Sequence, residues 1–226
     1  MISGETRLVG LLGDPVSGSL SPLLQNAAFA ARGLDWCYVP LGVSADRLED
    51  ALRGLVALQF AGANVTTPHK RAVAELLQAD VASVNTLVGT PGGLRATSTD
   101  AAILAELEFA RAAILGDGGA AEAFAAALPG AARFARRGAW PPEVRDADLI
   151  VNATSERDAV LVELDAGQTL VDLPYPATAT AQAAAANGAR VIDGLDVLVA
   201  QGAAAFELWT GIPAPVDVMR AAVRSA

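Results

Sequence analysis

Short apolar runs alternate along this chain with longer stretches in which apolar side chains recur every three or four positions. That alternation is the pattern of parallel strands joined by helices. Strands are expected at 7–13, 36–41 and 61–65. The first ends in the turn Gly13-Asp14-Pro15, and Ser21-Pro22 opens a helix to about residue 32, with Ser21 as N-cap and proline at the first helical position. A helix at 47–59 places Leu48, Leu52, Leu55 and Val56 on one face. Thr67-Pro68 breaks the third strand and starts a helix to residue 77. Residues 84–88 and 94–96 read as a hairpin around Pro91-Gly92-Gly93.

The strand pattern restarts near Ala101. A helix at 101–109 leads to a strand at 112–115, a glycine turn and a helix at 120–128. Further strands are expected at 132–135, 149–152, 170–173 and 190–192, and helices at 195–209 and 216–224. The fold class is therefore α/β, with two units meeting near residue 101.

Composition narrows the chemistry. The 226 residues carry one cysteine and one histidine. One thiol makes no internal disulfide, and Cys37, on a strand between Trp36 and Tyr38, reads as a buried structural thiol. Neither a Cys₄, a Cys₂His₂ nor a three-histidine zinc site can be built, so no metal is expected. A nucleophilic triad would have to use His69, and proton transfer falls to Lys, Asp, Glu or Tyr. Sixteen basic against 25 acidic side chains give a net charge of −9, which argues against nucleic-acid binding. No apolar run reaches the roughly 18 residues of a membrane span. The first residues lack a basic segment followed by an apolar one. A soluble cytoplasmic protein is expected.

Two features carry chemistry. Leu115-Gly116-Asp117-Gly118-Gly119-Ala120-Ala121 lies where a strand hands over to a helix. There a dinucleotide pyrophosphate can meet exposed backbone N–H groups and the positive end of a helix. About 20 residues on, where an NAD-binding fold places an acidic ribose ligand, stand Arg136 and Arg137. Two guanidinium groups there suit a 2′-phosphate and favour NADP over NAD; an ordinary solvated loop is the alternative. Asp117 counts against an anion unless its side chain turns away. The second feature is a set of polar segments at strand ends, where open α/β sheets bind ligands. These are Ser17-Gly18-Ser19-Leu20-Ser21-Pro22, Asn64-Val65-Thr66-Thr67-Pro68-His69-Lys70, Ser83-Val84-Asn85-Thr86 and Thr97-Ser98-Thr99-Asp100. With histidine so scarce, Lys70 is the natural acid/base, and Asp100 can hold its ammonium or a substrate hydroxyl. His69 reads as a bystander, because neighbouring helical side chains diverge.

These segments, with Gly13-Asp14-Pro15, the glycine turn, Asn152-Ala153-Thr154-Ser155, Asp193-Gly194-Leu195 and Val199-Ala200-Gln201, resemble the shikimate dehydrogenase family. The likeness runs in the family's order from residue 8 to 211. The resemblance implies an N-terminal α/β substrate-binding domain, 1–100 plus 195–226, and a Rossmann-like NADP-binding domain, 101–194. The C-terminal helices would return to the first domain, with a cleft between the two. It implies reversible reduction of 3-dehydroshikimate to shikimate with NADP(H), in the route to aromatic amino acids, by a monomer or a homodimer. Lys70 matches the family's catalytic lysine and Asp100 its partner. Ser19 and Ser21 match the pair that holds the substrate carboxylate; Thr66, Asn85 and Gln201 match other substrate contacts, and Tyr175 a tyrosine near the carboxylate. The implied cofactor set is Gly116, Asp117, Gly118, Gly119, Ala120, Arg136, Arg137, Thr154, Leu173 and Gly194.

The chain also departs from the family's pattern. Gln25-Asn26 replaces a His-Asn pair, Ser98 an asparagine, and Glu156-Arg157-Asp158 a stretch with glycine and an apolar residue. The segment between Arg137 and Leu149 is too short for the usual helix and strand, so the cofactor domain reads as trimmed. Two other readings stay open: a relative acting on another ring acid such as quinate, and a binding or sensing protein that keeps the substrate site without efficient hydride transfer.

Overall fold

Strand β1, Arg7–Gly13, pairs in parallel with β2, Trp36–Gly42, on one side and β3, Gly62–Val65, on the other. These contacts come from the computed structural model, which describes residues 2–226. An antiparallel hairpin, β4 Thr86–Thr90 and β5 Gly93–Thr97, extends β3 to give a five-stranded sheet in the order β2-β1-β3-β4-β5. Helices α1 (Ser21–Ala31), α2 (Leu48–Ala57) and α3 (Lys70–Leu76) connect its strands. The layer formed by Leu12, Ala63, Val65 and Leu87 packs against Leu48, Leu52 and Leu55 of α2 and Val73 and Ala74 of α3. Phe29 of α1 stacks on Phe206, ring centroids 5.5 Å apart, and both are fully buried. Burying a phenylalanine stabilises by about 1.5–3 kcal/mol, so this pair is a principal tie between α1 and the C-terminal helix α6, Gly194–Thr210. The last helix, α7 (Val216–Arg224), lies along α1.

Contacts divide the chain into two units. One holds the described residues up to Thr99 together with Val199–Ala226; the other is Asp100–Leu198. The second contains a five-stranded parallel sheet in the order β10-β9-β8-β6-β7. Its strands are β6 (Ala112–Leu115), β7 (Ala132–Phe134), β8 (Leu149–Asn152), β9 (Thr169–Asp172) and β10 (Arg190–Ile192). Helix α4 (Gly119–Ala127) joins β6 to β7, and α5 (Ala179–Ala186) joins β9 to β10. The connections β7–β8 and β8–β9 contain no helix. Instead Val144, Ala147 and Leu164 from those connections, with Ala181 and Ala184 of α5, cover the layer of Ala113, Leu115, Ile150 and Leu170. The buried side chain of Gln168 binds the two connections together, donating to the carbonyls of Val144 at 2.9 Å and Ala147 at 2.6 Å.

Several expectations change in detail. Residues 101–109 form only a 3-10 turn, Ala102–Glu106, because Ile103 alone finds a buried place and a lone short segment is not held helical by propensity. The cap of α1 falls on Leu20, with no side-chain capping bond, and Ser21 is the first helical residue. Val56 lies at the edge of the α2 stripe and is exposed. Helix α3 starts at Lys70, two residues beyond Pro68. Cys37 is half-buried, since β2 is the edge strand of its sheet. Helix α5 has no counterpart in the expected elements. Its alanines give almost no apolar stripe, and Thr178, whose hydroxyl accepts from Ala181 N–H, marks its start.

Candidate active site

In the first unit the polar segments gather at the C-terminal ends of β1 and β3. Gly13 closes β1 so tightly that a Cβ there would strike the Thr66 methyl and stand 3.3 Å from the Thr67 carbonyl. The Thr66 N–H donates to Leu12 O at 2.8 Å and Asp14 N–H to Thr67 O at 3.1 Å, so the serine loop and the threonine loop share one backbone seam. Along that loop Ser21 N–H donates to Ser19 Oγ at 3.2 Å, and both serines are half-buried.

Asn85 is the hub of a buried cluster. Its Oδ1 accepts from Thr99 N–H at 2.7 Å and from the Thr86 hydroxyl at 2.8 Å. Its Nδ2 donates to Thr99 Oγ1 and to Gln201 Oε1, each at 3.1 Å. The hub thereby fixes Gln201, on α6, beside the end of β5. Asn64 joins the cluster from β3 by donating to the Asn85 carbonyl at 3.0 Å and to Thr86 Oγ1 at 3.1 Å. Asn64 Oδ1 in turn accepts from the Tyr38 hydroxyl at 2.9 Å. Burial pushes the Tyr38 phenol well above its ordinary pKa, with Ser21 beside it acting in the opposite direction, so the group stays neutral and remains a donor. Tyr38 is a residue that the sequence did not single out, and Asn64, the first residue of a polar segment noted in the sequence, was given no role of its own. Only the residue types offered a signal, a polar aromatic and an amide on strands otherwise apolar.

Lys70 opens α3 and is half-buried; its carbonyl accepts from Val84 N–H at 3.0 Å, which ties it to the segment leading into Asn85. His69 is 1 % exposed, and its Nε2 lies 2.6 Å from the Val43 carbonyl. A carbonyl only accepts, so Nε2 carries the proton and the ring is committed to structure. Lys70 and Arg71 follow His69 as the two cationic side chains at this place in the chain.

In the second unit the glycine turn has the shape a diphosphate needs. Gly116, at φ +120°, keeps its Cα so close to β8 that a Cβ would lie 2.9 Å from Ala153 O. Gly118 takes the cap position of α4 in extended geometry, has open space around its Cα, and no side chain caps this helix end. The first-turn N–H groups at Gly119 and Ala120 therefore have no side-chain cap and can take an anion, so the residues fit a dinucleotide. Asp117 is exposed. Thr154 donates its hydroxyl to Asn152 Oδ1 at 2.8 Å, and Asn152 Nδ2 donates to Asp172 Oδ1 at 2.7 Å, so a buried network braces the ends of β8 and β9. Leu173 and Gly194 meet closely: a Cβ on Gly194 would stand 2.5 Å from the Leu173 and Pro174 carbonyls. Asp100 is buried at the start of this unit, and Tyr175 is half-buried after β9. Arg136 donates to Glu156 at 2.9 Å and lies over the Trp140 ring, while Arg137 is exposed. Among the described residues no group of three or more His, Cys, Asp or Glu could hold a metal ion, and no helix is long and apolar enough to cross a membrane.

Residues 11–87 match the shikimate dehydrogenase substrate binding domain, and residues 194–224 match the shikimate 5′-dehydrogenase C-terminal domain. The shikimate dehydrogenase (NADP(+)) of Anaeromyxobacter dehalogenans (strain 2CP-C) is 39% identical, over 98% of this chain and 97% of its own length. The chain belongs to the shikimate dehydrogenase family. Another shikimate dehydrogenase (NADP(+)), from Moorella thermoacetica, is 41% identical over 100% of this chain and 95% of that protein. The crystal structure of a shikimate 5-dehydrogenase from Thermus thermophilus, in complex with NADP(H) and shikimate, superposes with a TM-score of 0.81. It is 30% identical and covers 97% of this chain and 99% of that one. The alignment with the Anaeromyxobacter shikimate dehydrogenase spans 270 positions against 226 residues here, so at least 44 stand opposite no residue of this chain. Both proteins are covered nearly end to end, so the shortening relative to this family member is internal.

Proposed function

We propose that this chain catalyses the NADP-dependent, reversible reduction of 3-dehydroshikimate to shikimate. The observation that carries the reading is the Asn85 hub. It holds Gln201, Thr86 and Thr99 in one fixed donor and acceptor array, in a chain of this family, and such an array suits a polyhydroxylated ring. Ser19 and Ser21 hold the substrate carboxylate with their hydroxyls, with Tyr175 as a further donor; Thr66, Asn85 and Gln201 bind the ring hydroxyls. Lys70 Nζ gives a proton to the carbonyl oxygen in the reducing direction and takes it back from the hydroxyl in the other. Asp100 orients that ammonium and accepts from a neighbouring ring hydroxyl.

NADP(H) supplies or receives the hydride when bound. The residues that would hold it are the turn Gly116-Asp117-Gly118-Gly119-Ala120, with Arg136 and Arg137 at the 2′-phosphate and Thr154, Leu173 and Gly194 along the strand ends. The single cysteine and the nicotinamide cofactor fit a cytoplasmic setting.

The test is NADPH oxidation on adding 3-dehydroshikimate to the purified chain, with 3-dehydroquinate in parallel and shikimate binding followed by calorimetry. Turnover that favours 3-dehydroshikimate is the expected result. Preferential turnover of the quinate pair would overturn the substrate assignment, and shikimate binding without turnover of either would overturn the catalytic one.

A further inference from the structure

The ion pair between Arg136 and Glu156 lies where the second unit's strand order gives it a meaning. Strand β6 runs between β7 and β8. Arg136 stands two residues past the end of β7 and Glu156 four past the end of β8. The pair therefore joins the two strands that flank β6, at the end from which the glycine turn leaves, across about two strand spacings or ~10 Å. A dinucleotide whose diphosphate rests on that turn and whose adenosine ribose lies toward the second strand, β7, has to pass this pair.

Both partners are held in position. The turn Ala135 to Ala139 is closed by Gly138 N–H donating to Ala135 O at 2.8 Å, and the Trp140 ring centroid lies 5.9 Å from the Arg136 guanidinium carbon. Glu156 Oε2 accepts from Arg136 Nη2 at 2.9 Å, while Oε1 accepts from the N–H groups of Arg157 and Asp158, each at 3.2 Å. The Glu156 N–H donates to Thr154 Oγ1 at 3.3 Å, which links the residue to the buried Asn152 network. The Arg136 guanidinium, first among these neighbours, holds the Glu156 carboxyl below the usual carboxylate range, so it is an anion at neutral pH.

We propose that Glu156 occupies, on the Arg136 guanidinium, the place that the 2′-phosphate of NADP takes, so that NADP binding exchanges one anion for another and Glu156 lowers the preference for NADP over NAD. This rests on reading Arg136 as the 2′-phosphate residue. A carboxylate and a phosphate compete for the same planar fork of donors. NAD brings no charge at that position and has no need to displace Glu156; its 2′-hydroxyl can instead donate to the carboxylate, the contact that NAD-binding folds use. Arg136 is exposed and Glu156 half-buried, so the exchange is a modest bias of about two- to five-fold.

Calorimetric Kd values for NADP and NAD, with 2′,5′-ADP and 5′-AMP as minimal probes, test this without any turnover. Glu156→Gln is expected to raise the NADP-over-NAD affinity ratio by about two- to five-fold, and the 2′,5′-ADP over 5′-AMP ratio likewise. Arg136→Ala should lower both ratios, and Arg136→Ala/Glu156→Gln should match Arg136→Ala. Ratios unchanged in Glu156→Gln but lowered in Arg136→Ala would refute the competition and leave the Arg136 reading intact. Ratios unchanged in Arg136→Ala would remove that reading itself. A gain that persists in the double variant would mean that Glu156 acts through bulk charge, which also overturns the proposal.

Discussion

Tyr38 donates its phenolic hydrogen to Asn64 Oδ1 across 2.9 Å, from β2 to β3 and over the strand between them. The register makes this possible: Val9 pairs with Tyr38 and Leu11 with Asn64, so the two side chains rise from the same face of the sheet. Through Asn64 the phenol reaches the Asn85 hub, and on its other side stands Ser21. Tyr38 thus links the serine segment to the Asn85 cluster, and in the function proposed above it is a positioning residue.

Tyr38→Phe keeps the ring and removes the hydroxyl. Losing this bond leaves a part-buried acceptor on Asn64 and is expected to cost about 1–3 kcal/mol of stability. With the serine loop and Asn64 less well fixed, KM for shikimate should rise about three- to ten-fold while kcat stays within about two-fold. Steady-state kinetics with thermal melting measure both, and a fall confined to kcat would contradict a positioning role.

For Lys70→Ala the expected split is the reverse. Loss of a general acid/base lowers kcat by about 10²–10⁴, whereas the hydroxyl and carboxylate contacts stay in place. Shikimate affinity measured by calorimetry should therefore change by only a few-fold. Retained kcat would remove Lys70 from the chemistry.

Gly194→Ala tests the close approach at the start of α6. The added methyl would press on the Leu173 and Pro174 carbonyls, and overpacking of this kind costs about 1–3 kcal/mol. The melting temperature should drop, and the NADP Kd should rise with it, as expected for Leu173 placed along the cofactor. A melting temperature equal to that of the parent would show that the contact relaxes without cost.

A pH-dependent prediction concerns Asp148, whose carboxylate accepts from the N–H groups of Ala110 and Arg111 at 2.7 Å each. Those bonds hold its pKa below the ordinary 3.8. A depressed carboxyl contributes stability that is present above the unfolded value and lost as pH falls through the folded one. Asp148→Asn should lower the melting temperature by about 2–4 °C at neutral pH. The gap to the parent should close on acidification below about pH 3, and a gap independent of pH would refute the assignment.

Much of this was legible because it is local. β6, β8, β10 and α7 fall at the expected residues, since strong apolar runs and a clear helical stripe need no long-range information. The glycine turn was legible for the same reason: Gly116 needs a positive φ that other residues resist. What the sequence could not give is lateral. Tyr38 meets Asn64 only because β2 and β3 flank β1, and Arg136 meets Glu156 only because β7 and β8 flank β6. Gln201 and Asn85 are 116 positions apart, and their bond depends on where α6 lands. Helix α5 escaped because alanine on every side carries no periodicity.

The helix-free connections of the second unit bear on how its amides exchange with solvent. A helix protects its backbone as one cooperative block, whereas residues 135–148 and 153–168 are held by isolated backbone turns and separate side chains, foremost Gln168 reaching Val144 and Ala147. Each such tie opens on its own, so hydrogen–deuterium exchange along these two stretches should be fast and graded while the neighbouring strands stay protected. In the second unit of this dehydrogenase, sheet coverage then becomes a set of small independent latches, and one glutamine fastens two of them.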